Sequence, residues 1–155
     1  MHGFPAALAS FIGRAGAVRE VAGLLAEYRL VTVTGPGGVG KTRLAGEVAG
    51  QVAGRFADGA WLAELAAVRD PAQVAVVVAA ALGIREQPGV AAAEALVRVL
   101  AGQQLLLVLD NCEHVIGAAA ELGAGCWRRV MTCGCWRLAG SRWRWPGRPG
   151  TGWAR

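Results

Sequence analysis

The chain has 155 residues, 54% of them hydrophobic, with a mean hydropathy of +0.39. That excludes a disordered chain and leaves room for one domain with a sizeable core. The net charge of +5 hides a break: residues 1–125 hold nine basic and eleven acidic side chains, whereas residues 126–155 hold seven arginines and no acid, with five of the six tryptophans and three of the four cysteines.

Residues 1–10 are expected as a loose lead-in. Met1-His2-Gly3-Phe4-Pro5 lacks the basic start and long apolar run of a secretion signal. Phe11-Ile12-Gly13-Arg14 precedes an amphipathic stretch, Ala17–Tyr28, in which Val18, Val21, Leu24 and Leu25 fall at helical spacing. Leu30-Val31-Thr32-Val33-Thr34 then reads as a buried strand.

Gly35-Pro36-Gly37-Gly38-Val39-Gly40-Lys41-Thr42 follows and fits G-x-x-x-x-G-K-[ST], a phosphate-binding loop. The spacing has a chemical reason. The glycines let the backbone turn tightly and present bare N–H groups to phosphate oxygens. Lys41, the only lysine of the chain, can reach the β- and γ-phosphates, and the Thr42 hydroxyl can ligate Mg²⁺. Arg43 opens the helical run expected to about Gly54, whose positive N-terminal end completes an anion site. Strand, loop and helix occur in the order this motif requires.

Arg55–Gly59 reads as a turn and Ala60–Leu65 as a second strand. Asp70-Pro71 starts a helix to about Leu82, with Asp as N-cap and Pro at the first position. The apolar run near Val74–Ile84 is too short to cross a bilayer and is expected as a core helix. No membrane contact and a cytoplasmic location are the expectations. Gly83–Gly89 reads as a loop, and Val90–Ala101 as a helix burying Leu96, Val99 and Leu100.

Gln104-Leu105-Leu106-Leu107-Val108-Leu109-Asp110 reads as a buried parallel strand ending in an acid. After a phosphate loop, such an aspartate holds Mg²⁺ directly or through water. Asn111, Cys112, Glu113 and His114 crowd the same place. Glu113 has two readings, as the acid that polarises an attacking water or as a helix-N-terminal acid stabilising the dipole. Cys112-x-His114 lacks the paired spacing of a zinc site, so the metal expected is the Mg²⁺ brought by the nucleotide.

FIGRAGAVREV, VTVTGPGGVGKTRLA, DGAWLAELA and LLLVLDNCEH, in this order, resemble the NTPase domain of STAND proteins. The likeness is to the NB-ARC-like ATPase of large bacterial LuxR-type and AfsR-type transcriptional regulators, and it covers about Ser10 to Glu121. It implies an α/β fold, the parallel-sheet P-loop NTPase type with three α/β/α layers found in AAA+ and STAND proteins. It implies ATP or ADP with Mg²⁺, ADP holding a closed form and ATP an open, self-associating one, with slow or absent hydrolysis. Phe11, Ile12, Gly13 and Arg14 resemble the segment covering adenine and ribose; Gly35 to Thr42 match the phosphate loop and Asp110 the metal-holding acid. Asn111 and Glu113 match positions beside it. DNA would be bound only by domains absent from this chain.

The resemblance implies a later strand ending in ATSRE, between the strands at Leu30–Thr34 and Gln104–Asp110. This chain reads GAGCWRRVMTCGCWRLAGSRWRWPGRPGTGWAR instead. Trp, Cys, Arg and Gly are what GC-rich codons yield out of register. Codons compatible with residues 126 onward, regrouped by one base, can spell LAACDDLRVLATSREPLAVAGE. The division expected is therefore a lead-in at 1–10, a partial P-loop domain at 11–125 incomplete on its C-terminal side, and an out-of-frame tail at 126–155. Val130–Leu138 is the stretch able to stand in for the missing strand, weakened by Gly134 and Arg137, so marginal stability is expected. Two other functions stay open: a stand-alone P-loop ATPase or kinase, and a nucleic-acid-binding module in which Arg142-Trp143-Arg144-Trp145 stacks on bases and contacts phosphates. Resequencing the source DNA past the stop codon tests the frame. The expected outcome is one displaced base near the codons for Gly125–Cys126 and a frame that runs on through ATSRE; an unchanged frame makes the tail genuine.

Overall fold

Four parallel strands in the order β1-β4-β3-β2 carry helices on both faces. The structure is a computed structural model that describes residues 1–5, 13–35, 38–126 and 129–134. The strands are β1 (Leu30–Thr34), β2 (Ala60–Glu64), β3 (Leu106–Asp110) and β4 (Arg129–Gly134). The helices are α1 (Ala15–Glu27), α2 (Lys41–Val52), α3 (Val74–Ala81), α4 (Ala92–Leu100) and α5 (Ile116–Cys126). Phe11, Ile12, Pro36, Gly37 and the tail arginines and tryptophans of 142–145 lie outside the described residues.

The layers follow from strand alternation. In β3, Leu106 and Val108 face one way, into a core with Val21 and Leu25 of α1 and Leu44, Val48 and Val52 of α2. Leu107 and Leu109 face the other way, into a core with Val74 and Val78 of α3, Leu96 and Leu100 of α4, and Leu122 of α5. Every residue of β3 is buried, which is why it reads as an unbroken apolar run. The α3 run has its expected place as a core helix, entered through a 3-10 turn, Pro71–Gln73, that Asp70 caps: its side chain accepts from the Ala72 N–H at 2.9 Å. Among the described residues no helix is long and apolar enough to cross a membrane.

Two expectations need correction. Val99 is 40% exposed, whereas Leu96 and Leu100 are buried. The apolar line of α4 runs through i and i+4, and Val99 turns off its flank. The lead-in is not wholly loose, because His2 exchanges backbone hydrogen bonds with Ala60 and Leu62 and stacks on the Trp61 ring, 3.8 Å between centroids. It thereby covers the outer edge of β2. The stretch expected to stand in for the missing strand does so: Arg129–Gly134 lies between β1 and β3, pairing Thr34 with Gly134 and Asp110 with Cys133. The stand-in starts one residue earlier than expected, and residues 135–138 of the expected stretch lie outside the described residues.

Full burial of a leucine side chain is worth about 1.5–3 kcal/mol, and its loss also leaves a cavity. Leu100→Ala is therefore expected to lower unfolding free energy by about 2–5 kcal/mol, while Val99→Ala stays within about 0.5 kcal/mol. Urea titration of the two variants against the parent measures both.

Candidate functional site

The site is built where β1 ends, α2 begins and β3 ends. Gly38 and Gly40 sit at φ +76° and +79°, left-handed conformations that strain any side chain. Gly40 caps α2, and the first bond of the helix runs from Leu44 N–H to the Gly40 carbonyl, 2.9 Å. The N–H groups of the first turn, at Lys41, Thr42 and Arg43, thus point out of the positive end of a twelve-residue helix. The Lys41 side chain is buried and folds back across the loop, its ammonium donating to the Gly35 carbonyl at 3.1 Å. Val39 is half-buried and Arg43 exposed.

Asp110 reaches this loop through alternation. It follows Leu106 and Val108 on the α2 side of the sheet, and its Oδ2 accepts from the Thr42 hydroxyl at 2.5 Å. The residue is 1% exposed, and among the described residues its buried Oδ1 has no hydrogen-bond partner. Burial pushes the carboxyl pKa up, the Thr42 hydroxyl and Asn111 backbone oppose this, and the charges of Glu64 and Glu113 add to it. A buried carboxylate with a bare oxygen beside a threonine hydroxyl is the donor set that a hard divalent cation takes. The residues therefore fit Mg²⁺, which Thr42 and Asp110 would hold.

The neighbours of Asp110 separate into distinct places. Glu113 opens a short 3-10 turn, Glu113–Val115, ahead of α5, and among the described residues its buried Oε2 has no partner. Cys112 is buried among the α3–α5 core, and its thiol is pushed up to about 11, chiefly by burial. His114 Nε2 faces the Val68 carbonyl at 2.6 Å; a carbonyl only accepts, so that nitrogen carries the proton. Among the described residues no group of three or more His, Cys, Asp or Glu is arranged around a metal.

Gly35, Gly38, Gly40, Lys41, Thr42 and Asp110 are thus brought together. Gly13 and Arg14 stand exposed ahead of α1, whose first turns line a groove with Glu47 and Gln51 of α2. One residue escaped sequence reasoning. Glu64 ends β2 in register with Asp110, and its Oε1 accepts from Asn111 Nδ2 at 2.8 Å. The available signal was a second strand closing on an acid, WLAE, to be set beside LVLD.

Residues 14–116 match the NB-ARC domain family. The chain belongs to the NB-ARC family. It is accordingly a nucleotide-binding module of the P-loop NTPase type. An uncharacterized protein of Mycobacterium tuberculosis strain H37Rv is 44% identical over 115 residues, which cover 74% of this chain and 29% of that protein. A Mycobacterium bovis protein, also named only as uncharacterized, matches to the same extent. A third relative, from Mycobacterium tuberculosis strain H37Rv, carries the name "putative HTH-type transcriptional regulator" and is 44% identical over 99 residues, 64% of this chain and 11% of that protein. The NB-ARC chain described here spans less than a third of the relatives it matches.

An acid whose folded pKa is raised binds its proton more readily in the native state. Stability therefore falls as pH rises from the ordinary value of 3.8 through the raised folded value, and the loss is complete above it. Asp110→Asn keeps the acceptor for Thr42 and removes the desolvated charge. The variant is expected to unfold at higher denaturant than the parent at pH 7, with the gap narrowing as pH falls toward the carboxylate range. Paired urea titrations along the pH series measure it, and a variant less stable than the parent at pH 7 overturns the assignment.

Proposed function

We propose that this domain binds ATP and ADP with Mg²⁺ and serves as the nucleotide switch of a larger, cytoplasmic, signal-transducing transcriptional regulator. The observation that carries the reading is the Thr42–Asp110 pair, with Asp110 Oδ1 buried and unbonded beside the phosphate loop. Lys41 neutralises phosphate charge, turning from the Gly35 carbonyl to the phosphate oxygens. The N–H groups of Gly35, Pro36-flanking Gly37, Gly38, Val39, Gly40, Lys41, Thr42 and Arg43 supply the donors of the loop and the first helical turn. Thr42 and Asp110 hold Mg²⁺, which when bound offsets the negative charge of the β- and γ-phosphates. Phe11, Ile12, Gly13 and Arg14 cover the base and ribose, a role that rests on the family likeness. DNA contact belongs to other parts of the regulator, as the name of the third relative suggests, and the ATP form self-associates.

Slow or absent hydrolysis is part of the proposal. Glu113, the candidate for polarising a water, is tied to the start of the turn that leads into α5, where an acid also stabilises the helix dipole. P-loop switches without a supplied arginine turn over on the order of 10⁻³ s⁻¹ or slower. Phosphate release under excess ATP is expected in that range, and sustained turnover near 1 s⁻¹ would make the domain an enzyme in its own right.

Lys41→Ala tests the phosphate loop. Losing a desolvated charge partner of the phosphates is worth about 3 kcal/mol or more, roughly a hundredfold in affinity. Titration of a fluorescent ADP into both proteins should show that loss. Equal binding by parent and variant would remove the phosphate-loop assignment.

A further inference from the structure

β2 closes on Glu64 as β3 closes on Asp110, and the register sets them opposite each other. Alternation puts both on the α2 side: Ala60 and Leu62 precede Glu64, Leu106 and Val108 precede Asp110, and all four pack in the α1–α2 core. Two acids on adjacent strands, about 4.8 Å apart in backbone spacing, repel one another. A pairing selected for stability alone would set a neutral or basic residue there.

Glu64 instead reaches across the strand ends. Its Oε1 accepts from Asn111 Nδ2 at 2.8 Å and from the Ala66 N–H at 3.2 Å. Asn111 has φ +50°, among the described residues the one non-glycine position with positive φ. Asn enters this region more readily than most side chains, but a tie that holds it there still matters. The Asn111 backbone favours the Asp110 carboxylate, and the Leu65 N–H donates to the Asp110 carbonyl at 2.9 Å. Glu64 and Leu65 thus hold the Asp110–Asn111 peptide from both sides, while Thr42 takes Oδ2 and leaves Oδ1 bare.

We propose that Glu64 is a positioning residue of the nucleotide–metal site: its grip on Asn111, across the ends of β2 and β3, holds the turn that orients Asp110 toward a divalent cation. This rests on the Mg²⁺-nucleotide reading given above. Glu64 acts through Asn111. The positioning runs through the acceptor oxygen, which glutamine keeps while removing the charge that disfavours the Asp110 carboxylate.

The test uses the whole chain and calorimetric titration with ADP, with and without Mg²⁺; the readout is the gain in affinity that Mg²⁺ brings. Partners that orient metal-holding groups typically change metal affinity by about tenfold or more. Glu64→Ala is expected to lose about that much of the gain while Mg²⁺-free ADP binding is unchanged, and Glu64→Gln to keep the parental gain. Asn111→Gly accepts the same backbone angle without strain but offers Glu64 no donor, so it should lose the gain as Glu64→Ala does. If the parent gains nothing from Mg²⁺, the metal reading and this proposal fall together. If the parent gains and Glu64→Ala gains equally, the proposal alone is overturned. Equal losses in Glu64→Ala and Glu64→Gln would assign the effect to charge and also overturn it. Should Glu64→Ala fail to fold, Asn111→Gly decides: loss of the gain supports the grip, and a parental gain removes it.

Discussion

The contact on which this domain turns is the hydrogen bond from Thr42 to Asp110. The two residues come from elements that are not neighbours in the sheet. Lys41–Val52 grows from the end of β1, and Asp110 ends β3, with β4 between them. Two strand spacings, about 10 Å, separate the ends of β1 and β3. The phosphate loop has to lift α2 over that distance, and α2 packs on both β4 and β3 in doing so. The left-handed turns at Gly38 and Gly40 make the lift possible, and strand alternation then delivers Asp110 on the face that α2 covers. The Thr42–Asp110 pair is thus a product of loop geometry, sheet order and the period of two along a strand. A slip of one residue in β3 would turn Asp110 into the α3–α5 core.

What could be read from the sequence was what depends on neighbours along the chain. β1, the loop, α2 and β3 were legible because their signals are local: an apolar run, glycines at fixed offsets, a lysine and hydroxyl in sequence, an acid closing a strand; but β1, expected as buried, buries only Val31. The Asp70 cap was legible for the same reason. What depends on sheet order was not. Glu64 is exposed at a strand end, where acids are common, and it gains meaning only once the register sets it opposite Asp110. The φ of Asn111 follows from that same pairing. Val99 shows the limit of periodicity: three apolar residues spaced i, i+3 and i+4 define a stripe wider than the surface they pack on. β4 was legible as a substitute by its composition, since Val130, Met131 and Thr132 suit a strand between apolar neighbours.

The segment after β3 separates nearness in sequence from membership of a site. Asp110 through His114 are five consecutive residues with four side chains able to ligate a metal. The backbone sends them to different places. Asp110 faces α2, Cys112 enters the core on the opposite side of the sheet, and His114 donates to the Val68 carbonyl ahead of α3. Burial holds the thiol protonated, and a donor committed to a carbonyl orients the imidazole, so these two stabilise the packing of the loop. The acids Glu64, Asp110 and Glu113 are the ones that share an electrostatic environment.

That environment runs against the stability of the fold. Asp110 loses its hydration to burial, and two further carboxylates raise the energy of its charged form. One hydroxyl and one backbone group oppose them. Such an imbalance is tolerated at sites whose charge is matched by a ligand, and local rules are broken where function requires it. Anything that binds the native state at this site adds RT ln(1 + [L]/Kd) to stability, about 2.7 kcal/mol at a hundredfold excess over Kd. In the nucleotide-switch reading, the cation that arrives with the nucleotide relieves the repulsion at the ends of β2 and β3.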